Sequence, residues 1–139
     1  MQVKEIMSKN PQYILSTATI YEAAQKMRSL NTGFLPIGDK KSDKIVGALT
    51  DRDIVLCAVA GKKGWDTPVS QIMHKGIKYC FENDDIHRAT NLMKSNKIRR
   101  LVVLNKDKRF TGVVTVGDLS FRCGDECLLQ ETLQNISRH

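Results

Sequence analysis

Several features that define other protein classes are missing or scarce in this sequence. The longest apolar run, residues 54–60, is far shorter than the roughly 20 residues that span a bilayer. The first residues, from Met1 to Met7, carry charges where a signal peptide would need an apolar segment. We therefore expect a cytoplasmic protein with no membrane partner.

Cysteine is scarce, and its pattern indicates neither a disulfide framework nor a metal site. The four cysteines form no CxxC pair, so reduced thiols are expected. Cys123 and Cys127 share a possible helix face, and with His139 they supply three ligands, one short of a closed zinc site. We predict no metal centre and interpret these cysteines as ordinary thiols near a helix start.

Catalytic signatures are missing as well. The chain has no HExxH motif, no GxSxG motif and no glycine-rich phosphate loop ending in Gly-Lys-Ser or Gly-Lys-Thr. The three histidines, His74, His87 and His139, have no partner in the sequence that would suggest a proton relay. We predict that the protein is not an enzyme and requires no cofactor.

The charge, by contrast, is strongly of one sign. The formal net charge is +7 and the sequence pI is about 9.4, a balance that favours anionic partners such as phosphate ligands or nucleic acid. The basic residues are scattered over polar turns. Aromatic residues make up 6% of the chain, and no strand combines them with basic residues as in proteins that bind single-stranded nucleic acid. Nucleic acid is therefore the less favoured partner.

A large part of the chain is written twice. A series of identical pairs keeps one offset of 66 residues, from Val3 with Val69 to Leu35 with Leu101. Past a polar turn the offset falls to 65, which pairs three further positions: Gly47 with Gly112, Thr50 with Thr115, and Asp53 with Asp118. Each copy is too short to bury its apolar face alone, so we predict two packed copies of one supersecondary unit.

The residue patterns predict an α+β fold with the order strand, helix, strand, strand, helix in each copy, after a short amphipathic lead-in. The predicted boundaries are residues 1–63 for the first copy, 64–122 for the second, and 123–139 for an added C-terminal helix. A capping box at Thr19 and Glu22, and a cap at Asp85, mark the starts of the first helices.

The same strand-to-helix junction occurs in both copies, with Thr and Asp three residues apart. A helix start offers unpaired amides and a positive dipole, which suit phosphate or a hydroxyl-rich group. An Asp beside the Thr can accept two hydrogen bonds from a ribose diol. The alternative is a plain N-cap with an acid that favours the helix dipole. The recurrence of Thr50 and Asp53 as Thr115 and Asp118 favours a ligand site.

The chain resembles tandem cystathionine beta-synthase (CBS) domain pairs, also called Bateman modules, over residues 3–121. The matching motifs are Ile6-Met7 and Ile72-Met73, Glu22-Ala23-Ala24, Phe34 to Ile37, and the Gly-x-hydrophobic-Thr-x-x-Asp signature in both copies. The resemblance implies two repeats that are related by a pseudo-twofold axis and pack through their sheets. It also implies clefts between them for adenosine-containing ligands such as AMP, ADP or ATP, and a homodimer.

The resemblance also assigns roles to residues at the junctions. Asp53 and Asp118 would bind ribose, and Thr50 and Thr115 would contact ribose or phosphate. In the family a basic residue before the second strand reaches phosphate. The second copy supplies Arg99 and Arg100 there, where the first has Gly33 and Phe34.

Arg52 is another phosphate candidate, and its counterpart is the uncharged Gly117. Two unequal sites are therefore expected. The adenine would need an apolar slot, and each candidate wall residue taken alone is better explained as core: Tyr13, Ile14, Leu35, Pro36, Tyr79, Cys80 and Val102.

The leading functional hypothesis is a non-catalytic sensor that binds an adenine nucleotide and signals through a change of conformation. One alternative is a basic nucleic-acid-binding protein. Another is a ligand-free module for an unidentified protein target, with the C-terminal helix as its docking surface. The identity of the nucleotide, and whether magnesium assists, are left open by the sequence.

Overall fold

A computed structural model describes residues 1–9, 12–41 and 44–122, with the side chains of residues 120–122 left out. The predicted C-terminal helix at residues 123–139 lies outside the described residues. The chain divides into two compact units, one formed by Gln12–Ile77 and the other by Met1–Pro11 together with Lys78–His139. Within the described part of the chain, no helix has the length and apolar character that a membrane crossing requires.

The unit Gln12–Ile77 contains a four-stranded sheet in the order β1-β2-β3-β4. Its elements are β1 (Ile14–Leu15), α1 (Ile20–Leu30), β2 (Phe34–Gly38), β3 (Ile45–Thr50), α2 (Asp51–Asp53) and β4 (His74–Lys75). Strand β1 is parallel to β2, whereas β2 with β3 and β3 with β4 are antiparallel. A short 3-10 turn, Val69–Gln71, precedes β4.

The other unit repeats this arrangement with a three-stranded sheet in the order β5-β6-β7. Its elements are a 3-10 turn (Val3–Glu5), β5 (Tyr79–Phe81), α3 (Ile86–Asn96), β6 (Arg100–Leu104), β7 (Phe110–Thr115) and α4 (Val116–Arg122). The predicted α+β fold, with strand, helix, strand, strand and helix in each copy, is confirmed. The turn between β6 and β7 is one residue shorter than that between β2 and β3, which accounts for the change of offset.

The two lead-ins are exchanged between the copies, which the sequence analysis did not predict. Ser8, from the lead-in of the first copy, forms an antiparallel bridge with Val113 of the second. In the same way β4, which ends the lead-in of the second copy, pairs with β3 of the first, with His74 opposite Ala48. The boundaries 1–63 and 64–122 therefore delimit the two copies of the sequence repeat. As domain boundaries they remain a prediction.

Each unit has its own buried core, completed by the lead-in it receives. The core of Gln12–Ile77 includes Val69 and Ile72 beside residues of the first copy. The core of the other unit includes Val3, Ile6 and Met7 beside residues of the second copy. Because burial of apolar area is the main favourable contribution to folding, the exchanged lead-ins are integral to both units.

Helix α1 begins as the sequence predicts, although one contact differs. The Thr19 hydroxyl accepts a hydrogen bond from the backbone N–H of Glu22 at 3.1 Å. The Glu22 carboxylate, however, accepts from the Thr19 hydroxyl at 3.2 Å. Of the predicted apolar stripe, Ile20, Ala23 and Met27 are buried, whereas Ala24 and Leu30 are exposed.

The helix that follows β3 departs from regular α geometry. After Asp51–Asp53 it continues as wider, π-type turns over Ile54–Val59. The N–H of Ala60 bonds the carbonyl oxygen of Val55, five residues back, at 3.0 Å. The helix ends at Val59, so the predicted stop before Gly61 is confirmed. A Cβ at Gly61 would collide with the carbonyl oxygen of Cys57.

Candidate functional site

The two strand-to-helix junctions have the same hydrogen-bond geometry. At the first, the Thr50 hydroxyl accepts from the N–H of Asp53 at 3.1 Å, and Oδ2 of Asp53 accepts from the N–H of Thr50 at 2.9 Å. At the second, the corresponding distances for Thr115 and Asp118 are 3.1 Å and 2.8 Å. Each pair is a reciprocal capping box, so the plain helix-capping role is present in both copies.

Capping and ligand binding are compatible because a carboxylate has two oxygens. The cap uses Oδ2 and fixes the orientation of the side chain, which leaves Oδ1 outside the cap. A fixed carboxylate beside a helix start loses little entropy when it binds a hydroxyl group. The two caps are thus identical in construction.

The outer oxygens of the two carboxylates differ in their surroundings. Oδ1 of Asp53 lies 2.8 Å from Nε2 of His74, a residue that the sequence analysis had left without a partner. The Asp53 side chain is 10% exposed, whereas that of His74 is 70% exposed. Asp118 is half-buried, and none of the side chains that the structure describes contacts its Oδ1.

The charge around the two junctions is opposite in sign. In the first copy the carboxylate of Asp51 lies against Gly33. A Cβ at Gly33 would be 2.6 Å from Asp51 Oδ2. The N–H of Asp51 bonds the carbonyl oxygen of Gly33 at 2.9 Å. At the matching place in the second copy, the N–H of Val116 bonds the carbonyl oxygen of Arg99 at 3.0 Å.

Two arginines accordingly flank the second junction. Arg99 is exposed and touches the junction through its backbone, while Arg100 is exposed and lies opposite Thr115 in the β6–β7 register. In the first copy Phe34 occupies the register position opposite Thr50. Arg52, the additional candidate, is exposed at the start of α2. Arg99 and Arg100 are neighbours on an extended chain and point to opposite sides, so one of them can serve a phosphate, with whose oxygens a guanidinium pairs in twos, while the other is a solvated strand entry.

The candidate adenine walls fall into two groups. Tyr13 and Tyr79 are 37% and 40% exposed and therefore accessible, with the Tyr13 ring lying over Gly38. Leu35 is 1% exposed and belongs to the core, and Pro36 is also buried. Three others are buried core residues as well: Ile14, Cys80 and Val102. Burial raises the pKa of the Cys80 thiol to about 12, with a smaller contribution from the negative charge of Asp84.

Metal ligands do not cluster in the part of the chain that the structure describes, where no three His, Cys, Asp or Glu side chains converge. The weak metal candidates Cys123, Cys127 and His139 lie outside that part. Each junction by itself therefore combines a hydrogen-bond acceptor at a helix start with a nearby arginine. Such a set can bind and orient a polar, anionic small molecule.

The fold and the junctions together define a protein with two copies of a small α+β unit, each carrying an acceptor at a helix start and each preceded in sequence by a lead-in, residues 3–7 or 69–73. The profile of the CBS domain matches twice, at residues 3–59 and 69–123. The chain belongs to the CBS domain family.

Known proteins resemble the chain over most of its length. An uncharacterized protein of Bacillus subtilis, YlbB, is 36% identical over 86% of this chain and 80% of its own length. Hypoxic response protein 1 of Mycobacterium tuberculosis is 31% identical over 91% of this chain and 88% of its own. A solved CBS domain protein of Pyrobaculum aerophilum, complexed with AMP, is 26% identical, with a TM-score of 0.79, covering 96% of this chain and 99% of that one.

Proposed function

We propose that the protein is a regulatory, non-catalytic module that binds an adenine nucleotide at its strand-to-helix junctions. The observation that carries the proposal is the pair of capped carboxylates, Asp53 and Asp118, each with one oxygen outside its cap. The AMP complex of the related Pyrobaculum protein supports the choice of ligand class. Cytoplasmic location and a homodimer are part of the same proposal.

The second junction is the better nucleotide site of the two. Oδ1 of Asp118 would accept hydrogen bonds from a ribose diol, and the positive end of the α4 dipole would favour a phosphate nearby. Arg99 or Arg100 would add charge-assisted bonds to phosphate oxygens. Thr115 has its hydroxyl oriented by the cap, and Tyr79 is exposed enough to stack against a base.

The first junction offers the same acceptor with less positive charge. Asp51 and Asp53 both lie at the start of α2, and Arg52 is the basic residue between them. Thr50 and Tyr13 would take the places of Thr115 and Tyr79, while Leu35 and Pro36 would contact a base only after local rearrangement. A ligand with several phosphates is therefore expected to prefer the second junction.

Regulation requires that the nucleotide bind two arrangements of the protein with different affinity, since a ligand with equal affinity for both shifts nothing. At a hundred times its dissociation constant, a nucleotide stabilises the arrangement it binds by about 2.7 kcal/mol. That amount is large enough to change the contacts offered to an unidentified protein target or between the subunits of a homodimer.

The test is calorimetric titration of the purified protein with AMP, ADP and ATP, repeated for an Asp118→Asn variant. Asparagine retains an acceptor for the cap but removes the charge, so the variant should stay folded and lose at least tenfold in affinity at that junction. Glu82→Gln, outside both junctions, is the control. Binding of none of the three nucleotides to the parent protein would refute the proposal.

Salt dependence separates the proposal from the nucleic-acid alternative. Affinity for a short DNA or RNA falls steeply with salt because counterions are released. Affinity for a nucleotide bound by hydrogen bonds should change much less. Tight, strongly salt-dependent binding of oligonucleotides, together with no binding of nucleotides, would favour the alternative.

A further inference from the structure

The outer oxygen of Asp53 is already occupied by a residue of the same unit. Nε2 of His74 lies 2.8 Å from Oδ1, while Oδ2 accepts from the N–H of Thr50 at 2.9 Å. Both oxygens of this carboxylate are therefore engaged within the protein. A carboxylate oxygen can accept two hydrogen bonds, so a ribose diol that approaches Oδ1 would compete there with the imidazole.

The second junction lacks this contact although its backbone is built in the same way. His74 lies opposite Ala48 on β3, and Ser8 lies opposite Val113, the counterpart of Ala48 on β7. Ser8 and His74 are themselves 66 residues apart, the offset of the repeat. The two junctions thus differ at one matched position, where an imidazole reaches the carboxylate and a serine side chain makes no described contact with Asp118.

We propose that His74 is an internal occupant of the first junction, which partly closes Asp53 to a diol by competing for Oδ1. This inference rests on the proposed nucleotide function and adds an order of filling. The junction of Asp118 takes ligand first, and the junction of Asp53 fills after it, as the ligand displaces His74.

The exposure of the two partners makes such a displacement feasible. Asp53 is held by its cap and is largely buried, so the carboxylate stays in place. His74 is mostly exposed and lies on a two-residue strand, so rotation of its side chain disturbs no core contact. A single hydrogen bond with a partly exposed partner is modest, so the closure is expected to weaken binding at Asp53 between about twofold and about tenfold.

A swap of the two matched residues tests the proposal. In an Asp118→Asn background, where the first junction is the remaining acceptor site, His74→Ser should increase adenosine affinity by about twofold to tenfold. The gain should vanish with 2′,3′-dideoxyadenosine, which lacks the diol. In an Asp53→Asn background, Ser8→His should weaken adenosine binding at the second junction by a similar factor.

His87→Ser is the matched control, because His87 also pairs with an aspartate, Asp85, at 2.6 Å but lies on α3. It should leave adenosine affinity unchanged. The imidazole nitrogen shifts of His74 provide a readout without ligand, since Asp53→Asn should move them if the contact exists in the free protein.

The possible failures are distinguishable. If the parent protein binds adenosine nucleotides but His74→Ser changes neither affinity nor stoichiometry, the role of His74 is wrong and the nucleotide function stands. If the imidazole nitrogen chemical shifts of His74 are unchanged in Asp53→Asn, the contact between His74 and Asp53 is absent from the free protein. Absence of binding to the parent and to every variant overturns both proposals.

Discussion

Replacing Ile6 with alanine should destabilise the unit built on the second copy, although Ile6 belongs to the first copy in sequence. The side chain is 1% exposed and packs in the core with Val103, Val114 and other residues of the second copy. Loss of a fully buried isoleucine side chain to alanine costs about 2–5 kcal/mol. We expect a loss in this range for the unit Met1–Pro11 with Lys78–His139.

The matched variant is Ile72→Ala, at the equivalent position of the second copy. Ile72 is buried in the core of Gln12–Ile77, so its loss should destabilise that unit instead. Amide hydrogen exchange resolves the two effects, because it reports local opening free energies along the chain. Ile6→Ala should accelerate exchange in α3 and β6 more than in α1 and β2, and Ile72→Ala should do the reverse.

The reasoning would be refuted by the opposite pattern. If Ile6→Ala accelerated exchange chiefly in α1 and β2, the lead-in would belong to its own copy, as the sequence boundaries suggest. Urea denaturation provides the total change in unfolding free energy, and an effect below about 1 kcal/mol would contradict full burial of Ile6.

Two other predictions concern backbone packing and the buried thiol. Gly112→Ala should lower the free energy of unfolding in urea by about 1–3 kcal/mol, because a Cβ there collides with the backbone carbonyl of Ser8. Gly76→Asn should have a far smaller effect, because nothing lies near a Cβ at that position and Asn tolerates its positive φ. Cys80, with its pKa raised to about 12, stays protonated in the folded state when the unfolded state ionises near pH 9. Stability should therefore fall as pH rises above 9, by up to about 1.4 kcal/mol per pH unit, and a Cys80→Ala variant should lack this component. If the free energy of unfolding falls with pH at the same slope in the parent protein and in Cys80→Ala, Cys80 is not the cause.

The order of helices and strands was predictable because it depends on local residue patterns. Alternating and helical spacing, repeated in both copies, indicated the order strand, helix, strand, strand, helix, but not strand β4. The exchange of the lead-ins was not predictable, because Val3 and Val69 have the same local pattern and either copy offers a similar partner. Pairing of distant segments is decided by the whole fold.

The acceptor residues of the candidate site could be predicted from the sequence, but their contacts could be predicted only in part. Thr50 and Asp53 are close in sequence, so their geometry follows from the helix start. His74 reaches Asp53 only because β4 pairs with β3, a long-range register that no short motif encodes. The contrast with Ser8 was visible in the aligned copies, but it gained meaning only once the strand pairing was known.

The exchanged lead-ins determine the order in which the two units can fold during translation. The unit Gln12–Ile77 is continuous in the chain, so it has all its parts as soon as residue 77 has emerged. The apolar side chains of Val3 and Ile6 emerge before that unit is complete, yet they reach their core only after the second copy has been translated. During that interval the nascent chain exposes these side chains to aggregation and to chaperone binding.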